Sequence, residues 1–212
     1  MAETRYNTAM KKKPLRLVFV GFGNVAQRMA AMLTEERKNF PGLAGLDLQP
    51  VAIFTKQRGA LVEPSGIDLA RALKDFRENG CFPAAPLPVS DALQTLDYDV
   101  LLELSTLNIA EKGEPAIAHV RSALERKKHV VTANKGPAAF AYAELDRLAG
   151  TNKVRFLFES AVMDGAPVFS LQRRALHGCR VTGFSGILNT TTNFVISRLE
   201  LGESMTVAVR AA

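Results

Sequence analysis

The residue of this sequence best placed for chemistry is a lysine that follows an apolar strand pattern. Asn134-Lys135 comes shortly after the β-branched run Val130-Val131-Thr132 and directly before Gly136-Pro137. In an open α/β sheet, ligands bind at the carboxyl ends of the strands. A cation at such a place can polarise a carbonyl oxygen or help to move its proton. The alternative interpretation is that Lys135 merely begins a helix and points to water.

A glycine-rich loop much earlier in the chain has the spacing that holds the phosphates of a dinucleotide. Gly21-Phe22-Gly23-Asn24-Val25-Ala26 follows an apolar run and fits the pattern G-x-G-x-x-G/A. In this pattern Gly21 permits a tight turn, Gly23 lets a pyrophosphate approach the backbone, and Ala26 lets the helix pack on the strand. The same spacing could also reflect tight packing alone.

The end of the next predicted strand bears on which dinucleotide is preferred. A site for NAD usually has an acidic residue there to bind the ribose 2′-hydroxyl. The chain has no Asp or Glu between Val51 and Leu61, but it has Thr55, Lys56 and Arg58. These residues could bind a 2′-phosphate, which predicts a preference for NADP. The two cations could equally be exposed loop charges.

The elements that position these residues alternate between strand and helix patterns. We predict strands at Leu15–Val20, Leu48–Phe54, Asp99–Ser105, Val130–Thr132 and Val154–Phe158, separated by helices over residues 24–38, 68–76, 114–127 and 137–148 and a short helix capped by Ser90. Asp68 is the expected cap of the second helix. This alternation predicts an α/β fold with a doubly wound parallel sheet. Residues 56–66 are expected to form a loop.

The pattern changes after residue 160, which indicates a second domain. Val181–Leu188 alternates like an antiparallel strand, and Thr192–Leu201 has a helical pattern. We therefore predict a flexible leader at residues 1–14, a nucleotide-binding domain at residues 15–152 and part of a second α/β domain at residues 153–212.

Composition points to an ordinary globular protein. The chain has 212 residues, 47% of them hydrophobic, and a net charge of +6 to which Lys11-Lys12-Lys13 contributes. No apolar run approaches the length of a membrane span, and no basic or aromatic stripe indicates nucleic-acid binding. The two cysteines, Cys81 and Cys179, have neither metal nor redox spacing. They indicate a reducing compartment, so we expect a cytoplasmic protein with neither membrane nor nucleic acid as partner.

Several segments together resemble one enzyme family, the homoserine dehydrogenases. They occur in the family's order and spacing: Gly21 to Ala26, Glu103-Leu104-Ser105-Thr106, Gly113-Glu114-Pro115-Ala116, His129 to Pro137, Glu159 to Pro167 and Gly186 to Phe194. The segments around Thr132-Ala133-Asn134-Lys135 and Asn189 to Asn193 are far more specific than the glycine loop. The resemblance implies a Rossmann domain followed by an α/β domain for substrate binding and dimerisation.

The resemblance also implies an activity and a set of roles. The activity is the NAD(P)-dependent interconversion of L-homoserine and L-aspartate 4-semialdehyde, in threonine and methionine synthesis, by a homodimer. Lys135 matches the family's active-site lysine. Ser105, Thr106 and Asn134 match residues at the cofactor's ribose or nicotinamide, although Ser105 and Thr106 could simply form a serine/threonine turn. Asn189, Thr190 and Thr191 match the substrate-lining segment, with Thr190 where glycine is common.

By the same resemblance, the segment after Val154–Phe158 matches a loop that holds a monovalent cation such as sodium. Its carbonyl oxygens would come from Glu159, Val162, Asp164 and Ala166. Oxygen ligands suit an alkali-metal ion, but the segment could also be a Gly-Pro turn between domains.

The family's substrate domain continues beyond the position of Ala212, where it carries an acidic segment and a second catalytic lysine. The chain is therefore expected to represent the front portion of the enzyme, with its activity affected accordingly. Two other functions stay open: a non-catalytic NADP-binding module that pairs with another chain, and an oxidoreductase for another small amino-acid semialdehyde, since the fold does not fix the substrate.

Overall fold

A computed structural model describes residues 13–85, 88–163 and 165–212 of the chain. Most of the predicted leader, residues 1–12, lies outside this part. The chain divides into two compact units, one ending at Phe158 and the other formed by Glu159–Ala212. Among the described residues, no helix combines the length and the apolar character that crossing a membrane requires.

The first unit is built on a six-stranded sheet with the spatial order β3-β2-β1-β4-β5-β6. The strands are β1 (Leu15–Val20), β2 (Leu48–Phe54), β3 (Ala60–Val62), β4 (Val100–Glu103), β5 (His129–Thr132) and β6 (Phe156–Leu157). All neighbouring pairs are parallel except β2 and β3, which are antiparallel. The predicted α/β class with a doubly wound sheet is confirmed, and the strand order is that of a Rossmann-type sheet.

Helices connect the strands of the first unit. They are α1 (Asn24–Leu33), α2 (Leu69–Asn79), α3 (Val89–Thr95), α4 (Ala116–Glu125), α5 (Lys135–Phe140) and α6 (Tyr142–Asn152). The described residues of the second unit contain helices and loops: α7 (Val168–Ser170), a π-helical turn at Leu171–Ala175, α8 (Thr190–Glu200) and α9 (Met205–Ala211).

The strands form because their side chains are apolar and buried on both faces of the sheet, as is typical of parallel strands. Val18, Phe19 and Ile53 are completely buried. Asp68 caps α2 as predicted, since its carboxylate accepts a hydrogen bond from the backbone N–H of Arg71 at 3.0 Å. The helix ends at Gly80, whose left-handed backbone suits glycine.

Several local predictions differ from the structure. The first helix ends at Leu33 rather than at Lys38, and the helix predicted from Pro137 begins at Lys135 and breaks at Ala141. Ser90 does not cap α3, because the helix already includes Val89. The predicted loop over residues 56–66 contains β3, a three-residue strand too short for a periodic pattern.

The strand predicted at Val181–Leu188 is wrong. Every residue from Leu171 to Thr192 is exposed, and residues 179–185 have neither helix nor strand. Alternating side chains favour a strand only where a neighbouring strand can take up the backbone hydrogen bonds, and the described residues of this unit provide none.

Candidate functional site

The sheet of the first unit brings three groups of predicted site residues to one edge. Parallel strands β1, β4 and β5 are neighbours, so their carboxyl ends point the same way. The strand order reverses between β1 and β4, which opens the crevice where doubly wound sheets bind ligands. The glycine loop follows β1, Ser105 and Thr106 follow β4, and Asn134 and Lys135 follow β5.

Gly21 lets the loops after β1 and β4 touch. Its φ of +92° is a conformation that side chains other than glycine rarely adopt. A Cβ atom at this position would lie 2.6 Å from the carbonyl carbon of Leu104 and 2.7 Å from the nitrogen of Ser105. The N–H of Gly21 donates to the carbonyl oxygen of Phe54 at 2.8 Å, which ties the turn to β2 as well.

Gly23 faces open space instead, at the N-terminus of α1. An added Cβ atom would meet nothing within 4 Å, and Gly23 is the cap residue of the helix without a side-chain bond to it. The first turn has no acidic residue, Asn24 and Val25 are exposed, and Ala26 is completely buried against the core. The first N–H groups of a helix lack intrahelical partners and favour anions. The loop therefore fits the pyrophosphate of a dinucleotide.

Phe22 contributes to this site through its backbone. Its ring is 3% exposed and packs edge-on against Phe76, with the ring centroids 5.1 Å apart. Phe19 and Phe82 complete this aromatic cluster. By packing against the buried side of the glycine loop, the cluster fixes the loop's backbone. The unpaired N–H groups at the start of α1 are thereby held in place.

The side chains proposed to recognise a 2′-phosphate lie in a tight turn between β2 and β3. The hydroxyl of Thr55 donates to the carbonyl oxygen of Gly59 at 2.7 Å and accepts from the N–H of Arg58 at 2.7 Å. Thr55 therefore shapes the turn. Lys56 and Arg58 are exposed on it, where their charges are accessible to a phosphate.

Ser105, Thr132 and Asn134 form a hydrogen-bonded network across the ends of β4 and β5. The side-chain amide of Asn134 donates to the carbonyl oxygen of Ser105 at 3.1 Å and to its hydroxyl at 3.3 Å. The N–H of Asn134 donates to the hydroxyl of Thr132 at 3.0 Å. The other end of the amide, Oδ1, accepts from the N–H of Gly136 at 2.8 Å and so caps α5. Thr106 is exposed next to this network.

At the base of the network lies Glu103, a residue for which the sequence predicts no role. Its side chain is fully buried, and its carboxylate accepts hydrogen bonds from the hydroxyl and N–H of Ser105 and from the hydroxyl of Thr132. Burial raises the pKa of Glu103 to about 7, although these hydrogen bonds act to lower it. In the part of the chain that the structure describes, no ion pair involves this carboxylate. The available signal was an ionisable residue at the end of an otherwise apolar strand.

Lys135 is the first residue of α5 and is exposed. A cation at a helix N-terminus is disfavoured by the helix dipole, so the lysine does not stabilise the helix. Because the bond from Asn134 to Gly136 fixes the first turn, the backbone of Lys135 is held at the carboxyl edge of the sheet. This position leaves its ammonium group accessible to a ligand.

The candidate substrate residues belong to the second unit. Asn189 caps α8, since its side-chain oxygen accepts from the N–H of Thr192 at 2.7 Å. Thr190 is the first residue of the helix, so its backbone is helical and does not need glycine. Thr190 and Thr191 are both exposed.

The candidate cation loop also belongs to the second unit. The carbonyl oxygen of Glu159 accepts from the N–H of Val162 at 3.3 Å, and that of Ala166 accepts from Val168 at 2.8 Å. The carboxylate of Glu159 accepts hydrogen bonds from the N–H groups of Phe169 and Ser170 and thereby anchors α7. Asp164 lies outside the described residues. The described residues hold no cluster of three or more acidic, histidine or cysteine side chains suited to a metal.

The family model "Homoserine dehydrogenase, NAD binding domain" matches residues 21–159, and the model "Homoserine dehydrogenase" matches residues 167–212. The first of these spans more than half of the chain. Of the predicted site residues, Val162, Asp164 and Ala166 lie outside both matched ranges.

Individual relatives give the same result. The chain is 38% identical over 202 residues to the "NAD(+)-dependent homoserine dehydrogenase" of Pseudomonas canavaninivorans, covering 93% of this chain and 57% of the relative. It is 33% identical to the homoserine dehydrogenase of Methanocaldococcus jannaschii, covering 87% of this chain and 55% of that protein. The chain thus spans little more than half the length of these relatives.

The fold is similar to that of a hyperthermophilic archaeal homoserine dehydrogenase solved in complex with NADPH. The TM-score is 0.78 at 24% identity, with 94% of this chain and 60% of that chain covered. At this level of identity, the similarity concerns the fold alone.

Proposed function

Because the chain belongs to the homoserine dehydrogenase family, we propose that it carries the cofactor site and catalytic lysine of an NAD(P)-dependent oxidoreductase. The reaction interconverts L-homoserine and L-aspartate 4-semialdehyde, a step of threonine and methionine synthesis. The observation that carries this proposal is the placement of the glycine loop, Ser105 and Lys135 at the ends of three adjacent parallel strands.

The cofactor's pyrophosphate would bind at the N-terminus of α1, where Gly23 leaves room and the helix offers free N–H groups. Its nicotinamide end would lie toward Ser105 and Asn134, across the point where the strand order reverses. Lys56 and Arg58 would bind a 2′-phosphate and favour NADPH over NADH. When bound, the cofactor supplies or accepts the hydride.

Lys135 supplies the charge that the reacting oxygen needs. Reduction of an aldehyde places negative charge on its oxygen, and an ammonium group nearby stabilises that charge and can donate the proton. The side chain is free to approach a ligand because it is exposed, and its backbone is fixed by the cap of Asn134.

The residues proposed for substrate and cation binding belong to the second unit. Asn189, Thr190 and Thr191 would recognise the amino-acid head group with hydroxyl and amide groups. Carbonyl oxygens of Glu159, Val162, Asp164 and Ala166 would hold a monovalent cation such as sodium. We further propose a homodimer and a cytoplasmic location, where exposed thiols such as Cys81 and Cys179 stay reduced.

The deciding experiment is NADPH oxidation by the purified chain with aspartate 4-semialdehyde, run beside a titration of NADPH binding. Lys135→Ala should lower turnover by at least about a thousandfold and leave NADPH affinity within a few-fold. Lys74→Ala, an exposed lysine of α2 paired with Glu78, is the matched control and should change neither quantity.

The outcomes separate the alternatives. Full turnover by Lys135→Ala would remove the proposed role of the lysine. Binding of NADPH without turnover would support the second candidate function, a non-catalytic cofactor-binding module. This candidate is favoured by the hydrogen-bonded network of Ser105, Thr132 and Asn134, which lies entirely in the first unit. Turnover of other small aldehydes in preference to aspartate 4-semialdehyde would assign a different substrate.

A further inference from the structure

The buried carboxylate of Glu103 has no ion-pair partner among the described residues and is costly to ionise. It cannot touch a ligand directly, because it is fully buried beneath the loops that follow β4 and β5. A costly buried acid at the edge of a ligand crevice requires an explanation other than stability. Its hydrogen bonds provide one.

Above its pKa of about 7, the carboxylate of Glu103 is ionised and only accepts hydrogen bonds, so it decides which way its neighbouring hydroxyl groups point. The hydroxyl of Ser105 donates to one carboxylate oxygen, and the hydroxyl of Thr132 donates to the other at 3.3 Å. The next acceptor for Thr132, the carbonyl oxygen of Asn134, is farther away at 3.5 Å. Both hydroxyl oxygens therefore turn their lone pairs away from Glu103.

Those lone pairs are the acceptors that Asn134 needs. Its N–H donates to Thr132, and its side-chain amide donates to the hydroxyl of Ser105. The orientation of the amide is set independently, because its oxygen accepts from the N–H of Gly136. Two chains of hydrogen bonds thus run from one carboxylate to one asparagine, which immediately precedes Lys135.

We propose that Glu103 is a positioning residue of the cofactor site: it orients two hydroxyl groups that hold Asn134, and with it the start of α5, against the nicotinamide end of the cofactor. This inference rests on the proposed function, since it assumes that a nicotinamide cofactor binds at this edge. It adds a role for a residue that contacts neither cofactor nor substrate.

A glutamine at this position reverses the direction of a hydrogen bond in one of the two chains. The oxygen of Glu103→Gln would stay with Ser105, which offers both an N–H and a hydroxyl. Its NH₂ group would then face Thr132 and donate to that hydroxyl. The Thr132 hydroxyl would have to turn its hydrogen away from position 103 and toward the carbonyl oxygen of Asn134, a poorer acceptor at 3.5 Å, and this rotation would disturb the bond that it accepts from the N–H of Asn134.

The test is run at about pH 8.5, above the pKa of Glu103, and compares two ligands that differ only by the nicotinamide ring: NADPH and 2′-phospho-adenosine diphosphoribose. For Glu103→Gln we expect NADPH affinity to fall at least about fivefold and the affinity for the second ligand to stay within about twofold. Thr132→Val removes the same chain of hydrogen bonds at the other end and should reproduce this selective loss. Thr132→Ser keeps the hydroxyl and serves as the matched control with near-normal binding of both ligands.

Equal losses for both ligands in Glu103→Gln and Thr132→Val would show a general structural role and overturn the proposal, as would normal binding of both. Thr132→Val keeps the test decisive if Glu103→Gln does not fold. Failure of the unaltered chain to bind either ligand would instead overturn the proposed function, and this inference with it. Binding titrations require no turnover, so the result does not depend on the activity of the chain.

Discussion

Two glutamates in different units have similar hydrogen-bond partners and opposite acid–base behaviour. Glu103 and Glu159 each accept hydrogen bonds from a serine hydroxyl and from backbone N–H groups. Burial raises the pKa of Glu103 to about 7. Partial burial acts to raise the pKa of Glu159 as well, but hydrogen bonds from Ser170 and Phe169 and the charge of Arg173 together lower it.

The difference between Glu103 and Glu159 shows how burial changes the pKa of a carboxylate whose hydrogen-bond partners are otherwise similar. Near the surface, water and hydrogen bonds keep Glu159 ionised, so it works as a stable anchor for α7. Inside the sheet edge, the same kinds of bonds do not fully offset the loss of hydration around Glu103. Ionisation of Glu103 therefore lowers the stability of the fold while it orders the neighbouring hydroxyl groups. Ionisation of Glu159 raises stability instead.

The largest expected effect is on how stability depends on pH. For Glu103 the folded-state pKa lies above its ordinary value of 4.5, so its contribution is fully present below pH 4.5 and is lost as pH rises through about 7. Relative to Glu103→Gln, the unaltered chain should lose roughly 3 kcal/mol of unfolding free energy between these limits. Urea denaturation followed by far-UV circular dichroism at several pH values measures this difference.

Glu159→Gln is the matched variant with the opposite sign. The pKa of Glu159 lies below its ordinary value of 4.5, so the stability that its carboxylate contributes is present above pH 4.5 and disappears as pH falls through the lowered pKa.

Parallel stability curves for the unaltered chain and Glu103→Gln over pH 5–8 would contradict the prediction for Glu103. The altered bond to Thr132 would change the unfolding free energy of Glu103→Gln by the same amount at every pH. It therefore could not produce a difference in the slope of stability against pH.

A smaller effect should separate the two asparagine caps. Asn134 is 3% exposed and bonded to Ser105, whereas Asn189 caps α8 in an exposed segment. We expect Asn189→Ala to cost about 1 kcal/mol, the usual value of a cap, and Asn134→Ala to cost about 2–3 kcal/mol because buried partners lose their bonds. Denaturant unfolding measures both.

Aspartate variants distinguish the cap from the network. Aspartate keeps the oxygen that caps a helix, so Asn189→Asp should remain close to the unaltered stability. Asn134→Asp should stay destabilised, because a carboxylate cannot donate to the carbonyl oxygen of Ser105. Equal costs at the two positions would show that burial of Asn134 adds nothing to its role.

The sequence was sufficient to predict the elements whose signals are local. Strands Leu15–Val20 and Leu48–Phe54 match the structure residue for residue, since their apolar runs are bounded by clear turn residues. The spacing of the glycine loop predicted where α1 begins, and Asp68 predicted the cap of α2. Each of these features depends on only a few consecutive residues.

What the sequence could not provide is information carried by neighbours distant in the chain. The role of Glu103 depends on its pairing with Thr132 across β4 and β5 and on the asparagine two residues beyond. The alternation of Val181–Leu188 looked like a strand, but a strand requires a partner that the pattern cannot supply. The family resemblance located Lys135 and Asn134 without showing how the hydrogen bonds reach them.

The smallest expected effect concerns exposed charges at the sheet edge. Lys56 and Arg58 lie on the surface of the turn after β2, so they can influence a ligand through charge without the support of a buried network. The double variant Lys56→Ala/Arg58→Ala should lower NADPH affinity by about five- to tenfold, which is roughly 1 kcal/mol. NADH affinity should stay within about twofold, because NADH lacks the 2′-phosphate, and the loss for NADPH should shrink as salt is added.

Lys74→Ala controls for the removal of an unrelated surface charge. Tighter binding of NADH than of NADPH by the unaltered chain would show that these charges do not select the cofactor.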